Sequence, residues 1–269
     1  IWGSGKCLTI PLRPVQEWFL WRFDGLWGKF SMLDSKPAKE ALILVPGLLC
    51  DGALWAHQTR YLADIADISV AETQCDDTIA AMAERLLKAA PARFALAGLS
   101  MGGYIGFEVM RRAPERVTKL ALLDTLAEAD TPEKIKIRKG LMRLADSGKF
   151  YGVSPRLLPM LVHKSRLDDR GLCTAVMDMA ARVGKDAFIS QQKAIMCRND
   201  SSESQKAIKV PTIVMCGRED ELTPLAAHEA MAEAIPGARL CVIEECGHLS
   251  SMERPHAVTA LMRDWLLKG

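Results

Sequence analysis

The segment Gly98-Leu99-Ser100-Met101-Gly102 carries a hydroxyl that can serve as a nucleophile, and two later segments carry the groups such a hydroxyl needs. A serine attacks poorly until a base removes its proton, and an imidazole base needs a third group to fix its tautomer. Asp220 follows Gly217-Arg218-Glu219, and His248 closes Cys246-Gly247-His248. The chain order is therefore Ser100, Asp220, His248: nucleophile, acid, base. That order is expected where one α/β sheet delivers the three from successive strand ends. The chemistry open to them is attack on a carbonyl through a covalent intermediate on Ser100.

Each of the three needs an element to position it. Ser100 stands between an apolar run at 93–97 and a helical pattern at 103–112. A serine at a sharp strand-to-helix turn holds strained backbone angles, so the positions two residues to either side, Gly98 and Gly102, have to be small. The helix that follows points its amide-rich N-terminus at the place where negative charge would develop. Asp220 falls in the loop after a buried run at 210–216, and His248 falls between a strand at 239–243 and a closing helix at 256–267.

The remaining chain supplies the frame. Residues 41–45 form a short continuous apolar run, as expected for a strand covered on both faces, and 65–70 read as a weaker strand. Asp77 precedes a helix with apolar residues at Ile79, Met82, Ala83, Leu86 and Leu87, ended by Pro91. A strand at 117–123 and a helix at 224–235 complete the alternation, which predicts a doubly wound parallel α/β sheet with right-handed crossovers. One block breaks the rhythm. Residues 128–209 show a helical pattern and no convincing strand, opened by Thr131-Pro132 as N-cap and first helical position. Leu141, Leu144, Leu157, Leu158, Leu161, Val176, Met177 and Met179 supply its apolar faces. The expectation is a helical lid across the strand ends, where such sheets bind ligands, inserted into a core made of 41–127 and 210–269. Its methionines (Met142, Met160, Met177, Met179 and Met196) read as lid-to-body packing, with an adaptable pocket lining as the alternative.

Residues 1–40 read differently. They hold Trp2, Trp18, Trp21 and Trp27, and Asp24-Gly25 could close a hairpin between 18–23 and 26–30. The other reading is a poorly ordered leader whose aromatics pack locally. No basic segment followed by an apolar core and a small-residue cleavage site stands there, so a secretory signal is not expected.

Bulk properties exclude several classes. At 269 residues, 49% hydrophobic and 25% charged, the chain has the make-up of a globular α/β domain with an insertion. A net charge of +2 gives no argument for nucleic acid or an anionic membrane. The most apolar stretch, residues 41–49, is broken by Pro46 and Gly47, so no membrane span is expected. Eight cysteines are scattered singly without CxxC or zinc-like spacing, which reads as reduced thiols in a cytoplasmic protein with no metal and no cofactor.

Other residues compete for these roles. Asp124 also ends a buried strand, but Asp220 is preferred as the acid because of its loop. His57 could project towards the mouth of the site and reads instead as a helix residue with a local partner. Cys50 reads as a small buried hydrophobe, since no base adjoins it. His163, His228 and His256 read as surface or packing residues. The cluster Glu219-Asp220-Glu221 is not taken as a metal site, because adjacent carboxylates in a loop rarely converge on one ion.

Leu42-Ile43-Leu44-Val45-Pro46-Gly47, Gly98-Leu99-Ser100-Met101-Gly102-Gly103, Gly217-Arg218-Glu219-Asp220 and Cys246-Gly247-His248 together resemble the α/β-hydrolase superfamily, most of all its lidded esterase and enol-lactonase branch. The resemblance runs from about Ala41 to the C-terminus. It implies an eight-stranded, mostly parallel sheet with a helical lid after the sixth strand, matched by the insertion at Glu128. It also implies an oxyanion hole from the backbone amides of Leu48 and Met101. Two departures stand out: Pro46-Gly47 occupies the place where many members have His-Gly, and the first two strands have no clear counterpart in the opening residues. The serine argues against the haloalkane-dehalogenase and epoxide-hydrolase branches, which use a carboxylate nucleophile. The implied activity is cleavage of a small carboxylic ester, thioester or lactone. Alternatives on the same frame are acyl transfer, carbon–carbon bond hydrolysis, or a non-enzymatic receptor using the lidded cavity.

Overall fold

Leu42, Leu44 and Val45 have no exposed surface and Ile43 is 4% exposed, so this strand is covered on both sides. The computed structural model describes residues 39–268 and shows why. Along the chain run β1 (Glu40–Val45), α1 (Ala56–Tyr61), β2 (Ala66–Val70), α2 (Ile79–Ala89), β3 (Phe94–Leu99), α3 (Met101–Arg112) and β4 (Val117–Leu123). Then follow α4 (Pro132–Asp146), α5 (Leu158–Leu161), α6 (Arg170–Met196), β5 (Thr212–Gly217), α7 (Leu225–Ala234), β6 (Arg239–Ile243), α8 (Ser250–Glu253) and α9 (Pro255–Lys268). The six described strands form one parallel sheet in the order β2-β1-β3-β4-β5-β6. The possible N-terminal hairpin and the two leading strands of the expected eight fall on residues outside those described.

The sheet separates two apolar cores by simple alternation. Leu42, Leu44, Ala121 and Leu123 point into one, together with Val258, Met262 and Trp265 of α9. Ile43, Val45, Leu120 and Leu122 point into the other, together with Met82 of α2 and Ile105 of α3. Burying side chains of this kind contributes about 1.5–3 kcal/mol each. Helices on both faces make the architecture a doubly wound α/β fold with a parallel sheet.

The register lines up the carboxyl ends of the strands. Val45 lies opposite Gly98, Leu99 opposite Leu123, Leu123 opposite Met215, and Gly217 opposite Ile243. The loops that leave β3, β5 and β6 therefore emerge at one edge, and these are the loops holding Ser100, Asp220 and His248.

Element bounds agree with the sequence pattern to within about two residues, as is normal for fraying ends. Between β4 and β5 the described chain contains helices and no strand. Two details depart from the sequence reading. Leu141, Leu144 and Leu157, expected on buried faces, are 41%, 47% and 40% exposed. Ala145 is the buried residue of α4, which rests against α6, while Ile137, Leu141 and Leu144 form a stripe beside that contact and stay exposed. In α6 the helix is interrupted at Gly184, whose φ of 78° lies in the left-handed region that glycine tolerates. No helix among the described residues is long and apolar enough to cross a membrane. The seven described cysteines are all free thiols.

Candidate active site

Backbone sterics set the position of Ser100. Its φ of 55° and ψ of −116° are unfavourable for a residue with a Cβ, at a cost of about 1–2 kcal/mol. A Cβ on Gly98 would lie 2.2 Å from the Gly102 carbonyl oxygen, and one on Gly102 would lie 2.1 Å from that of Val45. Both positions are closed to any side chain, which explains the small residues flanking the serine. The strained turn is held by hydrogen bonds: Ser100 N–H donates to the Leu123 carbonyl at 2.9 Å, and the Thr125 hydroxyl donates to the Ser100 carbonyl at 2.7 Å.

The three sequence-predicted side chains meet. His248 Nε2 lies 3.0 Å from Ser100 Oγ, and His248 Nδ1 lies 2.8 Å from Asp220 Oδ2. His248 is 5% exposed and Asp220 4%. Asp220 is fixed from its other side by the N–H groups of Leu222 and Thr223, each 2.9 Å from Oδ1, and by the Thr223 hydroxyl, 2.5 Å from Oδ2. Burial raises the Asp220 pKa, but the His248 charge, its hydrogen bond and the Thr223 donors outweigh it and hold the carboxyl below its ordinary value. Burial opposes the His248 imidazolium, and the Asp220 carboxylate with its hydrogen bond, aided by Asp124 and Glu253, reverses this and raises its pKa. An imidazole so placed can receive a proton from Ser100 and, once charged, be stabilised by the carboxylate behind it.

The turn after β1 lies against the serine. Cys50 N–H donates to the Gly47 carbonyl at 3.1 Å, closing a four-residue turn over Leu48 and Leu49. Leu49 has φ 59° and Leu48 does not have positive φ, so the turn is of type II with leucine where glycine is usual. A Cβ on Gly47 would lie 3.2 Å from Ser100 Cβ. Among the described residues, neither the Leu48 nor the Met101 N–H donates to a protein acceptor. Both belong to backbone next to Ser100, one in this turn and one opening α3.

The competing residues are placed elsewhere. Asp124, with φ 45°, is fully buried and accepts from Gly217 N–H at 3.1 Å, Ser250 N–H at 3.2 Å and the Ser250 hydroxyl at 2.5 Å. Burial, then the nearby Asp220 charge, raises its carboxyl to about 8. His228 is fully buried; its Nε2 accepts from Thr125 N–H at 3.0 Å, tying α7 to the end of β4, and its Nδ1 donates to the carbonyl of Pro224 at the start of α7. His57 pairs with Thr259 at 2.7 Å and stacks against Tyr61 and His256. Cys50 is buried, and desolvation followed by the Asp51 charge pushes its thiol to about 12. Glu219 accepts from Cys246 N–H at 3.1 Å while Glu221 is exposed, so the three acidic neighbours diverge.

The sequence reading missed two buried polar residues that pin the site. Glu253, fully buried, accepts from His163 N–H at 2.7 Å, Gly247 N–H at 3.1 Å and Leu249 N–H at 3.2 Å, gripping the backbone on both sides of His248. His248 N–H itself donates to the Leu161 carbonyl at 3.0 Å, so the chain around α5 is docked on the histidine loop. Gln191 of α6, also fully buried, reaches the turn after β1. No local signal in the sequence marks either one.

Comparison with known proteins identifies relatives of the chain in fold and sequence. The chain is similar to a thermophilic esterase from Thermogutta terrifontis, with a TM-score of 0.78 and 28% identity over 85% of this chain and 90% of that one. It is similar to the enol-lactonase from Burkholderia xenovorans LB400, with a TM-score of 0.75 and 25% identity over 87% and 94% of the two chains. In sequence it is 26% identical to a pimeloyl-[acyl-carrier protein] methyl ester esterase of Neisseria meningitidis serogroup B, over 71% of this chain and 76% of that protein. Residues 38–261 match the family model of the alpha/beta hydrolase family, and the chain is accordingly a hydrolase belonging to that family.

Proposed function

We propose that this hydrolase cleaves a small carboxylic ester, thioester or lactone through an acyl-enzyme on Ser100. The observation that carries the reading is the unbroken line of contacts from Ser100 Oγ to His248 Nε2 at 3.0 Å and from His248 Nδ1 to Asp220 Oδ2 at 2.8 Å. Ser100 Oγ attacks the carbonyl carbon as His248 Nε2 takes its proton. The tetrahedral oxyanion is held by the Leu48 and Met101 amides, typically the largest electrostatic contribution at such a site. The intermediate collapses, the C–O or C–S bond breaks, and His248 gives its proton to the departing alcohol or thiol. A water then repeats the cycle on the acyl group, releasing the acid and restoring Ser100. Asp220 keeps the Nδ1 proton in place and stabilises the imidazolium at each stage. Every step uses the chain's own residues, and none calls for a metal or cofactor.

The likeness to an esterase and an enol-lactonase supports this substrate class. Residues 128–209 act in this reading as a lid over the strand ends, with the body formed by 41–127 and 210–269. The free thiols accord with a cytoplasmic setting. The test is labelling with an organophosphonate together with turnover of p-nitrophenyl acetate and butyrate. Stoichiometric labelling at Ser100 and sustained turnover are expected. Slow labelling with negligible turnover would refute the reading in favour of a small-molecule receptor.

A further inference from the structure

The Leu48–Leu49 turn is held by a residue far away in the chain. Gln191 Oε1 accepts from Leu49 N–H at 3.0 Å, and Gln191 Nε2 donates to the Thr73 carbonyl at 3.1 Å. The two residues of the first contact are 142 positions apart, one in the turn after β1 and one in the helical insertion. Gln191 has no exposed surface, and water therefore does not compete for either bond. The Thr73 carbonyl requires a donor, which fixes the amide so that its oxygen, not its nitrogen, faces Leu49.

Type I and type II turns differ by reversal of the central peptide, here the one joining Leu48 to Leu49. For two leucines type I is the unstrained choice, because it avoids a positive φ. The turn nevertheless holds Leu49 at φ 59°. Two contacts oppose a reversal. Gln191 accepts the Leu49 N–H on one side of the peptide, and the Cys50 thiol lies 3.4 Å from the Leu48 carbonyl oxygen as its donor. Reversal would bring the Leu48 carbonyl oxygen towards Gln191 Oε1 and leave the Leu49 N–H buried without a partner. It would change ψ of Leu48 and φ of Leu49, and the Gly47–Leu48 peptide, which carries the Leu48 N–H, would follow only through movement of the turn as a whole.

We propose that Gln191 is a positioning residue for the oxyanion-binding turn: by anchoring the strained Leu48–Leu49 peptide to α6 it keeps the whole turn, and with it the Leu48 N–H at its entry, in place against Ser100. The inference rests on the reading of Leu48 as an oxyanion donor. It makes the insertion a structural partner of the catalytic turn in addition to a cover over it. Gln191 touches no reacting atom and acts through the backbone of Leu48 and Leu49.

The test measures kcat and KM for p-nitrophenyl acetate and inhibition by phenylboronic acid, which forms a tetrahedral anion on a reactive serine. Gln191→Leu removes both bonds and is expected to lower kcat about thirty-fold with KM within about two-fold, short of the full loss of an oxyanion donor. Phenylboronic acid should weaken by a similar factor. The decisive variant is Leu49→Gly/Gln191→Leu, since glycine holds a positive φ without help; it is expected to recover most of the lost kcat. A merely structural Gln191 would lower stability and leave kcat of the folded protein unmoved. Should Gln191→Leu fail to fold, Gln191→Met, unbranched and of matching length, is read the same way. Wild-type kcat in a folded Gln191 variant, or a loss that Leu49→Gly does not repair, overturns the inference. Labelling of Ser100 by an organophosphonate in the same preparations tests the triad reading separately.

Discussion

Asp220→Asn and Asp124→Asn, measured side by side, separate the two carboxylates that the sheet edge brings near His248. In Asp220→Asn the hydrogen bonds already present decide how the new amide sits. Leu222 and Thr223 N–H groups, each 2.9 Å from Oδ1, demand an acceptor there, so the amide oxygen takes that side. The NH2 group is then left 2.8 Å from His248 Nδ1. A donor in that place forces Nδ1 to accept, which moves the imidazole proton to Nε2, the nitrogen that must receive the Ser100 proton at 3.0 Å. The variant thus fixes the wrong tautomer and removes the charge opposing the imidazolium. The same change in a serine protease lowers kcat by about ten-thousand-fold, equivalent to about 5.5 kcal/mol of barrier, and a loss of that size is expected here near neutral pH. Asp124 makes no hydrogen bond to His248; its oxygens accept from Gly217 N–H and from the N–H and hydroxyl of Ser250, so it does not orient the ring. Asp124→Asn should therefore cost less than about ten-fold. The assay is initial-rate turnover of p-nitrophenyl acetate, with circular dichroism to verify folding. A severe loss in Asp124→Asn beside near-normal activity in Asp220→Asn would sink the reasoning. Equal moderate losses would show that the two carboxylates share the histidine.

Three further expectations follow from the same contacts. Ser100→Ala should lower turnover by about a million-fold while leaving the fold intact, and retention of more than a few per cent of activity would remove Ser100 from the nucleophile's role. The raised His248 pKa gives an acid limb of kcat/KM above the ordinary imidazole value of about 6.5, because activity needs the neutral ring and is lost as pH falls through the folded pKa. Glu253→Gln, which removes one of the charges raising that pKa, should move the limb to lower pH; an unmoved or rising limb speaks against the assignment. At the base of the insertion Arg198 and Asp130 are buried partners 2.9 Å apart, and the guanidinium also lies 4.1 Å over the Tyr104 ring. Asp130→Asn leaves that cation uncompensated and should lower stability by about 3 kcal/mol in urea unfolding, whereas a change below about 1 kcal/mol would mean that the pair is solvated.

How much of this was legible in the sequence depends on the range of the interactions involved. Strands β1, β3, β4 and β5 were readable because parallel strands buried on two faces have to be continuous apolar runs. The turn at Ser100 was readable because its steric demands fall on Gly98 and Gly102, within two residues of it. Asp220 and His248 could be found because each follows a readable strand. By contrast, His228 and His248 are chemically identical and both buried, and what separates them is the partner each ring meets: a backbone amide and a carbonyl for one, a serine and a carboxylate for the other. In the local pattern Gln191 only interrupts the apolar stripe of α6, since its partner Leu49 lies 142 positions away, and Glu253 is one polar residue in a short polar helix, with His163 90 positions away.

The insertion is closed on itself at its base and meets the body around His248 and at the turn after β1. Arg198 binds the Glu128 carbonyl and Asp130, drawing together the two ends of the insertion. The segment around α5 meets the histidine loop through the Leu161 carbonyl on His248 N–H and the His163 N–H on Glu253. Gln191 meets the turn that carries Leu48. A lid that only excluded water would have no need to hold the backbone around His248, the proposed base, or the turn proposed to bind the oxyanion. Displacing α5 and α6 would loosen the backbone around His248 and the turn after β1, and α4 is coupled to the same frame, since Arg138 donates to Asp130 and to Gln192 beside Gln191. In the proposed reading α5 and α6 therefore belong to the site itself as well as to the lid, because their contacts fall on the backbone around His248 and on the turn at Leu49.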